Sequence, residues 1–246
     1  MKVSELKQGV QAAWGLLYPN LCQICGEHRA EPKDGYVCHV CQRSVTPVVP
    51  PFCLVCGLPV RGEVTHSFTC TNCRDQPWDF DSARGAVAAE GTVREAIHRY
   101  KYQRALWFEP FLSGLLMTHA VPELKSQTWD ALVPVPLYPV KEREREFNQA
   151  ERLGRHLAQA LNVPVESAWV KRVEPTGPQA KLSRQERLTN IRRAFAPTAG
   201  VKIRGQRVLV VDDVLTTGAT TSAVAAVLKR MGAATVAVWA VARAIS

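Results

Sequence analysis

Val208-Leu-Val-Val-Asp-Asp-Val-Leu-Thr-Thr-Gly-Ala-Thr220 decides how the 246-residue chain is read. Val208 to Val211 is a continuous run of β-branched residues and leucine, the pattern of a strand covered on both faces of a parallel sheet. Thr216, Thr217, Gly218, Ala219 and Thr220 follow, with small side chains, three hydroxyls and backbone N–H groups at the start of a helix. A helix N-terminus carries unsatisfied donors and partial positive charge, so this turn suits a phosphate. Asp212 and Asp213 would repel that phosphate. They make sense if the ligand has hydroxyls or a hydrated cation close to its phosphate, as a ribose 5-phosphate does. The turn is not a Walker loop, because no Gly-Lys-Ser/Thr follows it.

Downstream, Ala219 to Met231 reads as a helix with Ala223, Val224, Val227 and Leu228 inward. Gly232 ends it and Thr235 to Val241 returns as a strand. Upstream, residues 171–193 hold seven Lys/Arg against two Asp/Glu, with Pro175, Gly177 and Pro178 breaking regular structure. Charge alone makes this stretch a solvated face. Its place before the phosphate-binding strand favours a mobile cationic loop, leading into a short helix near Ser183 to Arg193, that closes over a polyphosphate and excludes water. Ala131 to Leu137 reads as a strand ending in a turn stiffened by Pro134 and Pro136. The alternating charges from Lys141 to Glu146 read by themselves as solvated surface. The helix after them places Leu153, Leu157 and Leu161 on one face. Arg84 to Ala89 is the expected first strand, followed by a helix from about Thr92 toward Arg104. Gln76 to Phe80 is the expected linker before it.

All eight cysteines fall in four Cys-x-x-Cys pairs: Cys22/Cys25, Cys38/Cys41, Cys53/Cys56 and Cys70/Cys73. Each knuckle offers two thiolates to one side of a tetrahedron, so two knuckles close one zinc site. Sequential pairing puts the first four cysteines on one structural zinc and the last four on a second, as in a double zinc ribbon. A crossed pairing satisfies the spacing as well. A disulfide framework belongs to secreted chains, and four copies argue against a redox motif. Two sites of four thiolates around Zn²⁺ carry net negative charge, which argues against polyanion binding by the module as a whole, while His28, His39, Arg43, Arg61, His66 and Arg74 leave a local patch open. With little apolar content, it needs such staples to fold.

The formal charge of +9 is uneven: residues 1–80 carry seven Lys/Arg and seven Asp/Glu, residues 81–246 twenty-four against fifteen. The C-terminal part therefore suits anionic ligands, from pyrophosphate to nucleic acid. Val3, Leu6, Val10, Ala13, Trp14 and Leu17 recur at helical spacing, predicting an amphipathic helix over residues 1–20. No stretch has membrane-spanning length, and a cytoplasmic location is expected. The expected organisation is that helix, a double zinc-ribbon module over 21–76 and an α/β domain over 81–246.

The 208–220 run resembles the phosphoribosyl-pyrophosphate (PRPP) motif of type I phosphoribosyltransferases. The chain as a whole resembles the ComF family of competence or DNA-utilisation proteins. That likeness rests on the four knuckles, Lys101-Tyr102, Val133-Pro-Val-Pro-Leu137 and Arg143-x-Arg-x-Phe-Asn-Gln149. It continues through Thr176-x-x-Gln179, Leu182, Glu186-Arg187, Asn190 and Ala194-Phe195. It implies a type I phosphoribosyltransferase-like parallel sheet flanked by helices, with the ligand outside the strands' carboxyl ends. It further implies that Asp212 and Asp213 hold the ribose hydroxyls as the catalytic pair, and that Thr216 to Thr220 wrap the 5-phosphate. Lys101, Arg143, Arg145, Gln149, Gln179 and Arg187 would serve the pyrophosphate side, with Mg²⁺ arriving with PRPP. Glu146 departs from the pattern, which often has glycine there. Two functions fit the resemblance: transfer of phosphoribose to an acceptor the sequence does not identify, or a non-catalytic factor handling single-stranded DNA or its processing proteins, with PRPP or a nucleotide as effector.

Overall fold

A computed structural model describes residues 20–60, 68–76, 78–175, 191 and 193–245. The helix expected over 1–20, together with Gln179, Arg187 and nearly all of the Ser183–Arg193 helix, lies outside these residues.

Four parallel strands form the core, in the order β1 (Ser82–Ala88), β6 (Thr235–Arg243), β5 (Arg207–Leu215) and β2 (Ala131–Pro134). Val208 to Val211 are fully buried, as an apolar run in a parallel sheet requires. The strand does not stop at Val211. Its ladder with β6 continues through Asp212↔Ala240, Val214↔Ala242 and Leu215↔Arg243, so the acids are part of the strand rather than of the turn beyond it. Strand β2 is shorter than expected and ends at Pro134, although Val135 N just beyond it still donates to Val211 O of β5 at 2.9 Å.

Helices flank the sheet: α3 (Gly91–Tyr102), α4 (Glu109–Leu124), α5 (Pro139–Arg145), α6 (Gln149–Leu161) and α7 (Ala219–Arg230), after two short ones in the ribbons, α1 (His39–Arg43) and α2 (Thr71–Arg74). Pro110 sits in the first turn of α4, where its missing N–H costs nothing. Leu153 and Leu157 of α6 are buried, and Gly154 admits the helix closely: a Cβ there would lie 2.9 Å from Leu132 Cδ2. Two three-residue strands, β3 (Val170–Arg172) and β4 (Phe195–Pro197), pair antiparallel at the ends of the basic stretch. They are too short to show a period in the sequence. Among the described residues, no helix is long and apolar enough to cross a membrane.

The ribbons are built into the sheet. Strand β1 would otherwise be an open edge, which invites pairing with other chains. Val48 N donates to Ala86 O at 3.0 Å, Ala88 N to Thr46 O at 2.8 Å and Ala83 N to Val55 O at 2.6 Å, so the ribbon segment covers that edge. The stretch expected as a linker is a packed strut. Trp78 and Phe80 stack with centroids 5.6 Å apart, and both lie against Gly218 of the glycine turn. Ser222 Oγ accepts from Asp79 N at 3.1 Å and donates to Asp79 Oδ2 at 3.0 Å.

Gly57 shows how tight this junction is. Its φ is +66°, and a Cβ would lie 2.5 Å from Ala83 O of β1. Gly26, at φ +73°, would meet nothing within 4 Å. Left-handed backbone costs an L-residue about 1–2 kcal/mol at either place. Only Gly57→Ala adds a collision with the sheet. Chemical denaturation should therefore show a loss near that backbone cost for Gly26→Ala and a larger one for Gly57→Ala; equal losses would contradict the docked arrangement.

Candidate functional site

The carboxyl end of β5 presents Asp212 and Asp213 at the rim of the sheet. Asp212 Oδ1 accepts from Asp213 N and Asp213 Oδ1 accepts from Val214 N, both at 2.9 Å, which fixes the two side chains. Asp213 is 2% exposed. A buried carboxylate needs a partner, and Lys101 supplies it through an ion pair with Asp213 Oδ2. Helix α3 buries Val93, Ala96, Ile97 and Tyr100, and this seating carries Lys101, near its last turn, to the acids. Burial lowers the Lys101 pKa; Asp212 raises it and Arg145 lowers it further.

Asp212 feels three cations. Burial pushes its pKa up to about 6, while Lys101, Arg172 and Arg145 pull the other way. Arg145, the last residue of α5, donates Nη1 to Gln149 Oε1 at 2.9 Å, and its guanidinium lies 5.0 Å from the centre of the Tyr102 ring. Arg172 of β3 lies 5.4 Å from the Phe195 ring centre, and burial depresses its pKa against the pull of Asp212. Arg143, two residues before Arg145, is exposed. Residues at i and i+2 face different sides of a helix, so α5 turns in only one of the pair. The rest of the charge run is solvated as its alternation suggests, since Lys141, Glu142, Glu144 and Glu146 are exposed.

The segment after α5 shows why the Phe-Asn-Gln triplet matters. Asn148 caps α6 by accepting from Ala150 N at 3.0 Å, and donates Nδ2 to Val135 O at 3.1 Å. It thereby ties the helix to the proline turn after β2. Phe147 packs on Tyr100, with centroids 5.2 Å apart. Glu146 stands at φ +67°, a conformation that favours glycine, and its side chain pairs with Arg104 at 2.9 Å.

Beside the acids, Thr216 and Thr217 are exposed, and Gly218 at φ +86° turns the chain into α7. Thr217 Oγ1 accepts from Ala219 N at 3.3 Å. Lys101, Arg145, Gln149, Asp212, Asp213 and Thr216 to Thr220 thus come from the end of α3, the α5–α6 segment and the β5–α7 turn. Arg143 lies off to the side, and Gln179 and Arg187 are outside the described residues. Arg172 was a less obvious member: it stands among several basic residues, and nothing local marks it as the one facing Asp212.

Each set of four cysteines gathers in sequential pairing: Cys22, Cys25, Cys38 and Cys41, then Cys53, Cys56, Cys70 and Cys73, with the sulfurs of each set within 4.8 Å of one another. The Sγ···Sγ separations Cys22–Cys41 and Cys25–Cys38 are 3.8 Å and Cys56–Cys70 is 3.7 Å. A tetrahedron with Zn–S of about 2.3 Å has edges of about 3.8 Å. Amides point at the sulfurs: Cys38 N lies 3.3 Å from Cys22 Sγ and Cys70 N 3.3 Å from Cys53 Sγ. The Glu27 amide and then His28 hold the Cys25 thiol down at about 5. Burial and neighbouring cysteines push Cys41 and Cys73 well up. A divalent cation resolves that conflict, because it allows all four thiolates to be charged together.

Residues 13–76 match the family model of the double zinc ribbon domain, and residues 148–246 that of the phosphoribosyl transferase domain. Competence protein F of Haemophilus influenzae is 32% identical over 230 residues, covering 91% of this chain and 96% of the relative. The DNA utilization protein YhgH of Escherichia coli K12 is 32% identical over 234 residues, covering 94% and 100%. The chain belongs to the ComF family. Among solved structures, a purine phosphoribosyltransferase from Pyrococcus horikoshii aligns with a TM-score of 0.37 at 14% identity, over 55% of this chain and 85% of that one. In this ComF chain, then, a parallel sheet flanked by helices carries an acid pair ringed by cations, and two four-cysteine zinc-ribbon sites cover its edge.

The raised Asp212 pKa has a consequence for stability. A carboxyl whose folded pKa, about 6, exceeds its ordinary value of 3.8 loses folding free energy as pH rises from the lower value to the higher. Asp212→Asn removes that charge. Thermal melts should show the variant more stable than the parent above pH 6, with the advantage fading toward pH 4; a variant less stable at neutral pH would contradict the burial argument.

Proposed function

We propose that this protein binds PRPP, or another phosphorylated ribose, across the carboxyl ends of β5 and β2 and transfers phosphoribose to an acceptor. The observation that carries the reading is the adjacent pair Asp212 and Asp213, the latter buried and paired with Lys101, beside a hydroxyl-lined glycine turn. A phosphate alone does not call for two carboxylates next to it. A phosphorylated sugar does. The amides and hydroxyls from Thr216 to Thr220 would take the 5-phosphate, and the two aspartates would accept the ribose 2- and 3-hydroxyls. Lys101, Arg145, Arg172 and Gln149 would face the pyrophosphate, with Arg143 and the undescribed Gln179 and Arg187 as further donors to it.

The chemistry follows from charge. The bond from ribose C1 to pyrophosphate oxygen breaks, its electron pair leaves with the pyrophosphate, and an acceptor lone pair forms the new bond to C1. The sugar becomes oxocarbenium-like in between, so fixed carboxylates near its hydroxyls favour that state and fixed cations favour the leaving group. The acids are hard oxygen donors of the kind Mg²⁺ accepts, and Mg²⁺ bound with PRPP would supply further charge neutralisation of the pyrophosphate. No covalent nucleophile is required. Sites of four reduced cysteines fit a reducing compartment such as the cytoplasm.

A second reading, contact with single-stranded nucleic acid, is favoured by Tyr102. It is 64% exposed, beside Arg145 and one residue from Lys101, and an aromatic ring flanked by cations can stack a base. The relatives carry the names competence protein F and DNA utilization protein, which fits a role in taking up or using DNA. Phosphoribose transfer stands on more of the geometry, because stacking leaves the acid pair without a use.

Calorimetry of the zinc-loaded protein with PRPP and Mg²⁺ should give saturable heat, weakened at least tenfold, about 1.4 kcal/mol, by Asp213→Asn. Affinity should rise with pH through about 6, as Asp212 ionises, and level off above it. Absence of magnesium-dependent heat would overturn the reading. If binding holds, pyrophosphate release with a panel of nucleobases tests turnover, and competition between PRPP and an oligonucleotide tests whether both use these cations.

A further inference from the structure

Arg243, the last residue of β6, is 6% exposed and takes no part in the chemistry above. Its donors face two ways. Nη1 donates to Leu215 O at 2.9 Å and to Thr216 O, the two residues that lead from β5 into the glycine turn. Nε donates to Cys56 O at 3.2 Å, and Nη2 lies 3.9 Å from Cys56 Sγ, a ligand sulfur of the second four-cysteine site. Trp78 repeats the pattern from the other side. Its Nε1 donates to Cys73 Sγ at 3.3 Å, while its ring lies 3.7 Å from where a Cβ on Gly218 would stand. Between these two side chains is a cavity of about 140 Å³, bounded by Cys56, Cys73, Thr216 and Thr217. The turn and the second ribbon are thus two walls of one small space.

The first ribbon has no such connection among the described residues. Its sulfurs meet the amides of Ile24, Glu27 and Cys38 and the ring of His28, all from within the ribbon. Its link to the sheet domain through Arg99 reaches a backbone oxygen, Gln23 O, and no sulfur.

A buried guanidinium bonded mainly to carbonyls needs a countercharge. Four thiolates on one divalent zinc carry a formal charge near −2, so the loaded second site provides one. We propose that Arg243 is a positioning residue that couples the second metal site to the phosphate turn. With zinc bound, the guanidinium is drawn to Cys56 and holds the carbonyls of Leu215 and Thr216 so that the following amides face the 5-phosphate. Coupling is reciprocal, so a phosphorylated sugar on the turn slows the loss of zinc from that site and leaves the first site unaffected. The inference rests on the assignment of Thr216 to Thr220 to the 5-phosphate.

The test follows alkylation of the two cysteine sets by N-ethylmaleimide, resolved by peptide mass spectrometry, while a zinc-selective chelator strips the full-length protein. PRPP with Mg²⁺ should slow labelling of Cys53, Cys56, Cys70 and Cys73 at least threefold and leave the rate for Cys22, Cys25, Cys38 and Cys41 unchanged. Arg243→Lys keeps the charge but not the fork of donors. It should retain both zinc ions, abolish the ligand-dependent protection and weaken PRPP binding about tenfold, whereas Arg99→Lys should preserve the protection. A parent protein that binds PRPP yet shows equal labelling rates with and without it overturns the coupling and leaves the sugar-phosphate site standing. A parent protein that does not bind PRPP overturns both. Because the protection is measured on the parent chain, a variant that fails to fold does not decide the outcome.

Discussion

Two adjacent carboxylates at the end of a buried strand repel each other and lose hydration, so they persist only where cations are brought to them. Here the cations come from three separate elements: Lys101 from α3, Arg145 from α5 and Arg172 from β3. Much of the local architecture follows from that need. Helix α3 buries an apolar face so that its last turn reaches Asp213, and Asn148 anchors the start of α6 to the proline turn so that the residues before it sit at the rim. The balance is still unfavourable to Asp212, whose pKa stays raised by burial. A strained charge of this kind marks sites where stability is given up for binding.

The zinc ribbons answer a different constraint. Strand β1 lies at the edge of the sheet, and the polar N-terminal segment has little apolar surface from which to build a core. Metal ligation fixes the ribbon backbones, and the fixed backbones complete hydrogen bonds along β1. Each half thus supplies what the other lacks. The stack of Trp78 and Phe80 on Gly218 continues this joint up to the glycine turn, which makes the ribbons part of the scaffold beneath it.

The acid pair, the glycine turn and the cysteine knuckles were legible because the chemistry of each lies within a few consecutive residues. Lys101 and Arg145 came only through the family resemblance, since the charge run around Arg145 reads by itself as solvated surface. The end of β5 was not, since charged side chains interrupt an apolar run while leaving the backbone ladder intact. Spacing left the pairing of the cysteines open, and only the distances between sulfurs settle it. Arg172 and Arg243 were hidden for a third reason. Their roles depend on partners far along the chain, 187 residues away for Arg243 and Cys56, and no local pattern reports such a contact. The strut at Trp78 and Phe80 looked like a linker because a proline and two acids surround its aromatic pair.

On the proposed reading, the end of β5 holds a sugar by its hydroxyls while the adjoining turn holds the sugar's phosphate. A crystal structure of the zinc-loaded protein with PRPP and Mg²⁺ tests it most directly. Ribose oxygens are expected on the carboxylates of Asp212 and Asp213, with the 5-phosphate on the amides between Thr216 and Thr220. Density for the ligand elsewhere, with Lys101 still closed on Asp213 and the turn empty, would contradict it.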